Sequence, residues 1–137
     1  MRAATVKAMS SDALFILHGT VVHGRGVGKT LGYPTANFPV EEKNAPKRGV
    51  YVSRVILADG SSHPALTDLG VHPTFGTSDL LLAETHLLDW QEDLAGQEIM
   101  VELLSFLRGE RAFDSADALI RQLRLDEAQT RAYFEKR

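Results

Sequence analysis

The order of the periodic segments constrains this chain most: short apolar, β-branched runs come first, and helical patterning appears only at the end. Residues 14–22, LFILHGTVV, read as a strand, and residues 34–38 as a short extended piece. A strand at 49–57, GVYVSRVIL, meets a hairpin turn at Asp59-Gly60 and returns through 63–70. Residues 71–79, VHPTFGTSD, read as a loop. Two further strands, 80–90 and 97–107, are joined by a turn around Gly96. Then Ser115 caps a helix whose apolar face is Leu119, Ile120 and Leu123, and Asp126 opens a second capping pattern. Strands followed by helices argue against alternating βαβ units. They predict a mainly β fold, an antiparallel barrel or sandwich with C-terminal α-helices docked on it.

Residues 1–12 are expected to be a flexible N-terminal leader, and 13–137 one barrel domain. A chain of 137 residues, 44% of them hydrophobic, buries a core without staples, and the absence of cysteine excludes disulfides and thiolate metal sites. That composition fits a reducing cytoplasm. The net charge of −3, with no stretch dominated by Lys or Arg, argues against nucleic-acid binding through phosphate neutralisation. No segment approaches the length of a membrane span. The sequence does not fix the oligomeric state, and a monomer is favoured.

Residues 23–37, HGRGVGKTLGYPTAN, hold spaced glycines and a Gly-Lys-Thr. A Walker A loop needs its first glycine where this chain has His23, and a dinucleotide fingerprint needs one where it has Lys29. Both motifs also require a helix to follow, and Gly32 and Pro34 prevent one. Two readings remain open. Gly24, Gly26, Gly28 and Lys29 form either a mobile hairpin turn or an anion-binding nest of backbone N–H groups. In the extended piece that follows, Thr35 and Asn37 fall on one face. They are a polar strand end, or two oxygen ligands for a hard cation such as Mg²⁺ that a nucleotide's phosphates help to hold.

Glu84 lies among Leu82, Ala83 and Leu87. It is a solvent-facing residue of a half-exposed strand, or a base placed to take a proton from an alcohol. His86 stands two residues on and falls on the same face; the histidines show no metal-ligand spacing.

The glycine segment running into Gly32, Tyr33, Pro34, Thr35, Ala36, Asn37 and Phe38 resembles the nucleotide-binding segment of riboflavin kinases. These include the kinase half of bacterial bifunctional FAD synthetases. The resemblance continues through Arg48-Gly49-Val50-Tyr51, Leu69-Gly70, Pro73-Thr74-Phe75, Glu84-Thr85-His86-Leu87-Leu88-Asp89, Leu107-Arg108, Phe113-Asp114-Ser115 and Asp126. It implies a six-stranded antiparallel Greek-key barrel with C-terminal helices. It also implies transfer of the ATP γ-phosphate to the ribityl 5′-hydroxyl of riboflavin, giving FMN.

By the same resemblance, Thr35 and Asn37 would contact the metal (Mg²⁺, or Mn²⁺ or Zn²⁺) and the ATP phosphates. Gly24, Gly26, Gly28 and Lys29 would cover the nucleotide, and Glu84 would be the general base. Arg108 would touch the flavin or the product phosphate, or lie on the surface. Leu107 and Phe113, with Trp90 and the Leu119/Leu123 face, would line an apolar flavin slot or simply belong to the core. Four positions depart from the family's pattern: Asp68 replaces a neutral residue, Ala95 an aromatic one before Gly96, and Arg25 and Val27 a frequent acidic/Arg arrangement in the glycine loop. This chain carries no counterpart of the nucleotidyltransferase half, so FMN rather than FAD is its expected product, whether it is a stand-alone homologue or an excised domain. The alternative is a non-catalytic flavin- or nucleotide-binding module on the same barrel.

Overall fold

The structure is a computed structural model and describes residues 3–7, 12–22, 34–74 and 78–136. Its elements are β1 (Ala3–Lys7), β2 (Phe15–Thr20), β3 (Ala36–Pro39), β4 (Gly49–Ile56), β5 (Ser62–Thr74), β6 (Ser78–Leu87), β7 (Glu98–Arg108) and α1 (Ala116–Glu135). All neighbours pair antiparallel, in the order β1-β2-β7-β4-β5-β6-β3. The strands β4, β5 and β6 run as a meander, and β7 returns beside β4, which is the Greek-key arrangement. The ends of this sheet approach each other where the Val22 N–H donates to the Asn37 carbonyl at 2.7 Å. The six strands from β2 to β3 therefore form a nearly closed barrel, with β1 added outside β2.

Alternation along each strand sorts the side chains into two sets. One set fills the barrel: Leu17, Phe38, Tyr51, Val55, Leu69, Ala83, Val101 and Leu103 belong to a single buried cluster. Ser53, Thr67 and Thr85 are fully buried and bond to one another across β4, β5 and β6, at 2.8 and 2.9 Å. Each hydroxyl thus satisfies the next, as buried polar groups must. The other set lies outside the barrel. There Val50, Leu66 and Leu88 form a second apolar cluster with Leu107, and α1 packs against β5.

Closure of the barrel depends on a missing side chain. Gly19 of β2 faces Phe38 of β3, and a Cβ at position 19 would lie 2.4 Å from the Phe38 ring. Only glycine lets the ring fill that seam. At the other end of the chain, α1 is tied to the end of β6. Arg131 donates to both carboxylate oxygens of Asp89 at 2.9 and 3.1 Å, and to Glu127 at 2.8 Å.

Three expectations change. Ala3–Lys7, read as leader, pairs with β2, because its extended backbone continues the sheet. The expected loop at 71–79 is largely strand: β5 runs to Thr74 and β6 begins at Ser78, held together by pairs from Val71↔Leu81 to Thr74↔Ser78. The C-terminal region is one helix of 20 residues rather than two. Ser115 does cap it, its Oγ accepting from the Ala118 N–H at 3.1 Å. Asp126, however, is an interior helical residue. Among the described residues, no helix is long and apolar enough to cross a membrane.

Gly19→Ala is expected to lower stability by about 2 kcal/mol, since overpacking a core costs about 1–3 kcal/mol. Combining it with Phe38→Leu should recover part of the loss, as read from urea midpoints; equal stability of wild type and Gly19→Ala would show that the seam is loose. Asp89 is held below the usual carboxylate range by its hydrogen bonds to Arg131 and by the guanidinium charge. A depressed carboxylate contributes stability that is present above its unfolded value, about pH 4, and is lost as pH falls through the lower folded value. Carboxyl-carbon NMR should therefore place the Asp89 midpoint below that of a free aspartate, and Arg131→Gln should raise it.

Candidate active site

Pro34 has no N–H to give to a ladder, so β3 begins after it. Ala36 and Phe38 are buried in the barrel core, which turns Asn37 to the outer face. Its partner across the ladder is Glu84 of β6, whose neighbours Ala83 and Thr85 point inward. Glu84 in turn faces Asp68 of β5, Asp68 faces Val50 of β4, and Val50 faces Arg108 of β7. A row Asn37–Glu84–Asp68–Val50–Arg108 thus crosses the outer surface of the barrel. Arg108 joins it because β7 slips register twice against β4, between Val50/Tyr51 and Val52/Ser53.

Asn37 is 5% exposed, and its Oδ1 is buried with no hydrogen-bond partner among the described residues. A buried acceptor left unmade costs about 1–3 kcal/mol. A neutral carbonyl oxygen of this kind suits a hard divalent cation or an N–H donor, so the residue present fits the expected metal. Thr35 is exposed and lies one residue before β3. The two residues share the segment, but the structure covers Asn37 and leaves Thr35 open. Among the described residues, no cluster of three or more His, Asp or Glu could hold a metal alone. Asn37 and Thr35 are neutral and alone would hold such a cation only weakly.

His86 contributes in a way its spacing did not reveal. Its Nδ1 lies 2.9 Å from the Pro34 carbonyl oxygen, tying β6 to the residue before Thr35.

Arg108 serves the helix. Its Nε and Nη2 donate to the Asp126 carboxylate at 3.0, 3.2 and 2.7 Å, and its Nη1 donates to the Gly109 carbonyl at 3.2 Å. Asp126 is 1% exposed and also accepts from Gln122 Nε2 at 2.9 Å. The hydrogen bonds and charge of Asp126, with the charges of Asp68 and Glu110 behind them, push the Arg108 guanidinium above its ordinary value. Asp126 is therefore an anchor joining α1 to the end of β7. No local signal marks it, because its partner lies 18 residues away in sequence.

Phe113 lies under the guanidinium of Arg111, 5.4 Å from its ring centre, and near that of Arg108, at 6.0 Å. Leu107 packs into the outer apolar cluster. Trp90 instead packs against the inner core and meets His63 edge-on at 4.7 Å. Ala95 sits in the connection to β7, where the next residue, Gly96, donates to the Val21 carbonyl at 2.8 Å. Gly24, Gly26, Gly28 and Lys29 lie outside the described residues.

The family described as "Flavokinase: Riboflavin kinase" matches residues 12–134. The chain belongs to the riboflavin kinase family. It is 38% identical over 119 residues to a bifunctional riboflavin kinase/FMN adenylyltransferase of Listeria monocytogenes, across 86% of this chain and 38% of that protein. A Bacillus subtilis relative named as an RNA-binding riboflavin kinase, RibR, is 35% identical over 120 residues, 51% of its length. Among solved structures, one titled as a macrolide-efflux protein from Streptococcus pneumoniae superposes with a TM-score of 0.75 at 36% identity, over 87% of this chain and 38% of that one. The riboflavin kinase of Trypanosoma brucei has the same fold, with a TM-score of 0.64 at 24% identity, over 93% of this chain and 83% of that one. The chain thus spans 38% of the bifunctional Listeria relative that it matches.

Asp126→Ala is expected to destabilise this riboflavin kinase-family fold by about 3 kcal/mol, the usual cost of breaking a buried ion pair. In a urea-denaturation cycle with Arg108→Ala, the double variant should lose clearly less than the sum of the single ones. Additive losses would show that the two side chains are not coupled.

Proposed function

We propose that this chain is a riboflavin kinase that transfers the γ-phosphate of ATP to the ribityl 5′-hydroxyl of riboflavin, giving FMN and ADP. One observation carries the reading. Asn37, whose buried Oδ1 has no hydrogen-bond partner among the described residues, stands directly opposite Glu84 on the outer face of the barrel. Cβ atoms so paired lie about 5 Å apart. An oxygen suited to a cation therefore sits beside a carboxylate that can take a proton.

In this reading, Glu84 accepts the proton of the riboflavin hydroxyl as its oxygen attacks the γ-phosphorus and the bond to the ADP oxygen breaks. Asn37 and Thr35 hold a divalent cation, Mg²⁺ or alternatively Mn²⁺ or Zn²⁺, together with the phosphates. Bound there, such a cation offsets phosphate charge, the main requirement of phosphoryl transfer beyond positioning. By the family resemblance, Gly24, Gly26, Gly28 and Lys29 would cover the nucleotide. Leu107 and Phe113 offer apolar surface to the isoalloxazine ring, and Arg108 orders that surface through Asp126. Asp68, a carboxylate opposite Glu84, adds negative charge beside the base and raises the need for a cation.

Incubation with riboflavin and MgATP should yield FMN, detected by chromatography. Glu84→Gln is expected to lower kcat by about 10²–10⁴-fold, the usual weight of a general base, with little change in KM for riboflavin. Asn37→Ala should chiefly raise KM for MgATP. Flavin binding without FMN formation would favour a binding module; FMN formation by Glu84→Gln at the wild-type rate would remove the base from the scheme.

A further inference from the structure

We propose that His86 is a positioning residue: it clamps the Pro34 carbonyl and so fixes Thr35 and Asn37 for MgATP. The inference rests on the kinase reading above and adds to it a residue that touches neither substrate.

The backbone pairing of β3 with β6 stops at Ala36↔Thr85. In that register, the next residues to face each other would be Thr35 and His86. Pro34, with no N–H, gives the ladder no donor to continue on. In place of another backbone rung, the His86 ring reaches the Pro34 oxygen at 2.9 Å. The arm is rigid, because Thr85 and Leu87 on either side of His86 are buried, at 0% and 4% exposure. Thr35 is therefore held between two fixed points: the Pro34 carbonyl before it and the Ala36 rung after it.

The bond also fixes the ring's chemistry. A carbonyl oxygen only accepts, so Nδ1 must carry the hydrogen. Neutral His86 is then the Nδ1–H tautomer, the one less favoured by histidine free in water.

Three variants test the clamp. In His86→Asn the amide nitrogen can stand near the place of Nδ1. In His86→Gln it reaches the place of Nε2 instead, and His86→Ala has no donor. Hydrogen exchange of the peptide covering residues 34–40, without nucleotide, should match wild type in His86→Asn and be about tenfold faster in the other two, as for loss of one hydrogen bond of about 1.4 kcal/mol. Affinity for MgATP should fall about tenfold in His86→Gln and stay within about twofold in His86→Asn, with kcat at saturation nearly unchanged in both. Nitrogen NMR of the wild-type ring should show a protonated Nδ1.

Equal exchange in the Asn and Gln variants, or an Nε2–H ring in wild type, would overturn the clamp. So would a difference in exchange with equal MgATP affinity, because the bond would then position nothing. A wild-type protein that shows the clamp in exchange yet makes no FMN would instead retire the kinase reading alone.

Discussion

The short pairing of β3 with β6 is the interaction on which the site depends. It runs only from Ala36↔Thr85 to Pro39↔Leu82. Within it, the inward residues Ala36 and Phe38 are committed to the core, and that commitment turns Asn37 outward. A slip of one residue would bury Asn37 in the barrel and expose Phe38, so the apolar core enforces the register and the register places the polar pair. The Val22–Asn37 bridge and the Gly19–Phe38 contact hold the other edge of β3. A strand of 4 residues, too short to be stable by its own hydrogen bonds, is thus fixed from both sides.

The charges of the outer row follow from the same geometry. Glu84 and Asp68 stand directly opposite each other, an arrangement that like charges oppose. Positive charge enters the row from Arg108, which feels Asp68 and Glu110 as well as its partner Asp126. Because Arg108 bonds to α1, the same residue that tempers the row also docks the helix over the outer apolar cluster. Helix position and site electrostatics are coupled through one guanidinium.

Much of the fold was legible because local chemistry and tertiary partners agreed. The runs at 49–57 and 97–107 became β4 and β7 within a residue or so, Gly96 took a positive φ of 86° at its turn, and Ser115 capped α1. Where the two disagreed, the partner won. Pro73 and the polar residues around it carry turn chemistry, yet pairing with β6 draws 71–74 into β5. Asp126 has the sequence of a cap, but a guanidinium 18 residues away makes it a buried interior anchor. At the site, Asn37 and Glu84 were visible as residue types at strand spacing. That they face each other was not, because register is a property of two strands. The His86–Pro34 bond spans 52 residues and leaves no mark on either neighbourhood.

A barrel of this size also explains why the polar row lies outside it. Eight strands enclose an interior just wide enough for side chains to fill; six enclose less. Here the space is so limited that Phe38 fits only because position 19 lacks a side chain, and the hydroxyls of Ser53, Thr67 and Thr85 satisfy one another rather than a ligand. A substrate as large as a flavin or a nucleotide can therefore be met only on the outer surface. An outer surface is wet, and water weakens every charge interaction that the proposed phosphoryl transfer would rely on. Something must cover the row. On one side, Arg108 and Asp126 fasten α1 to the end of β7. On the other, the segment entering β3 is fastened by His86 just where Thr35 meets solvent. The barrel supplies register, and the elements fastened to its outside fix the two ends of the polar row.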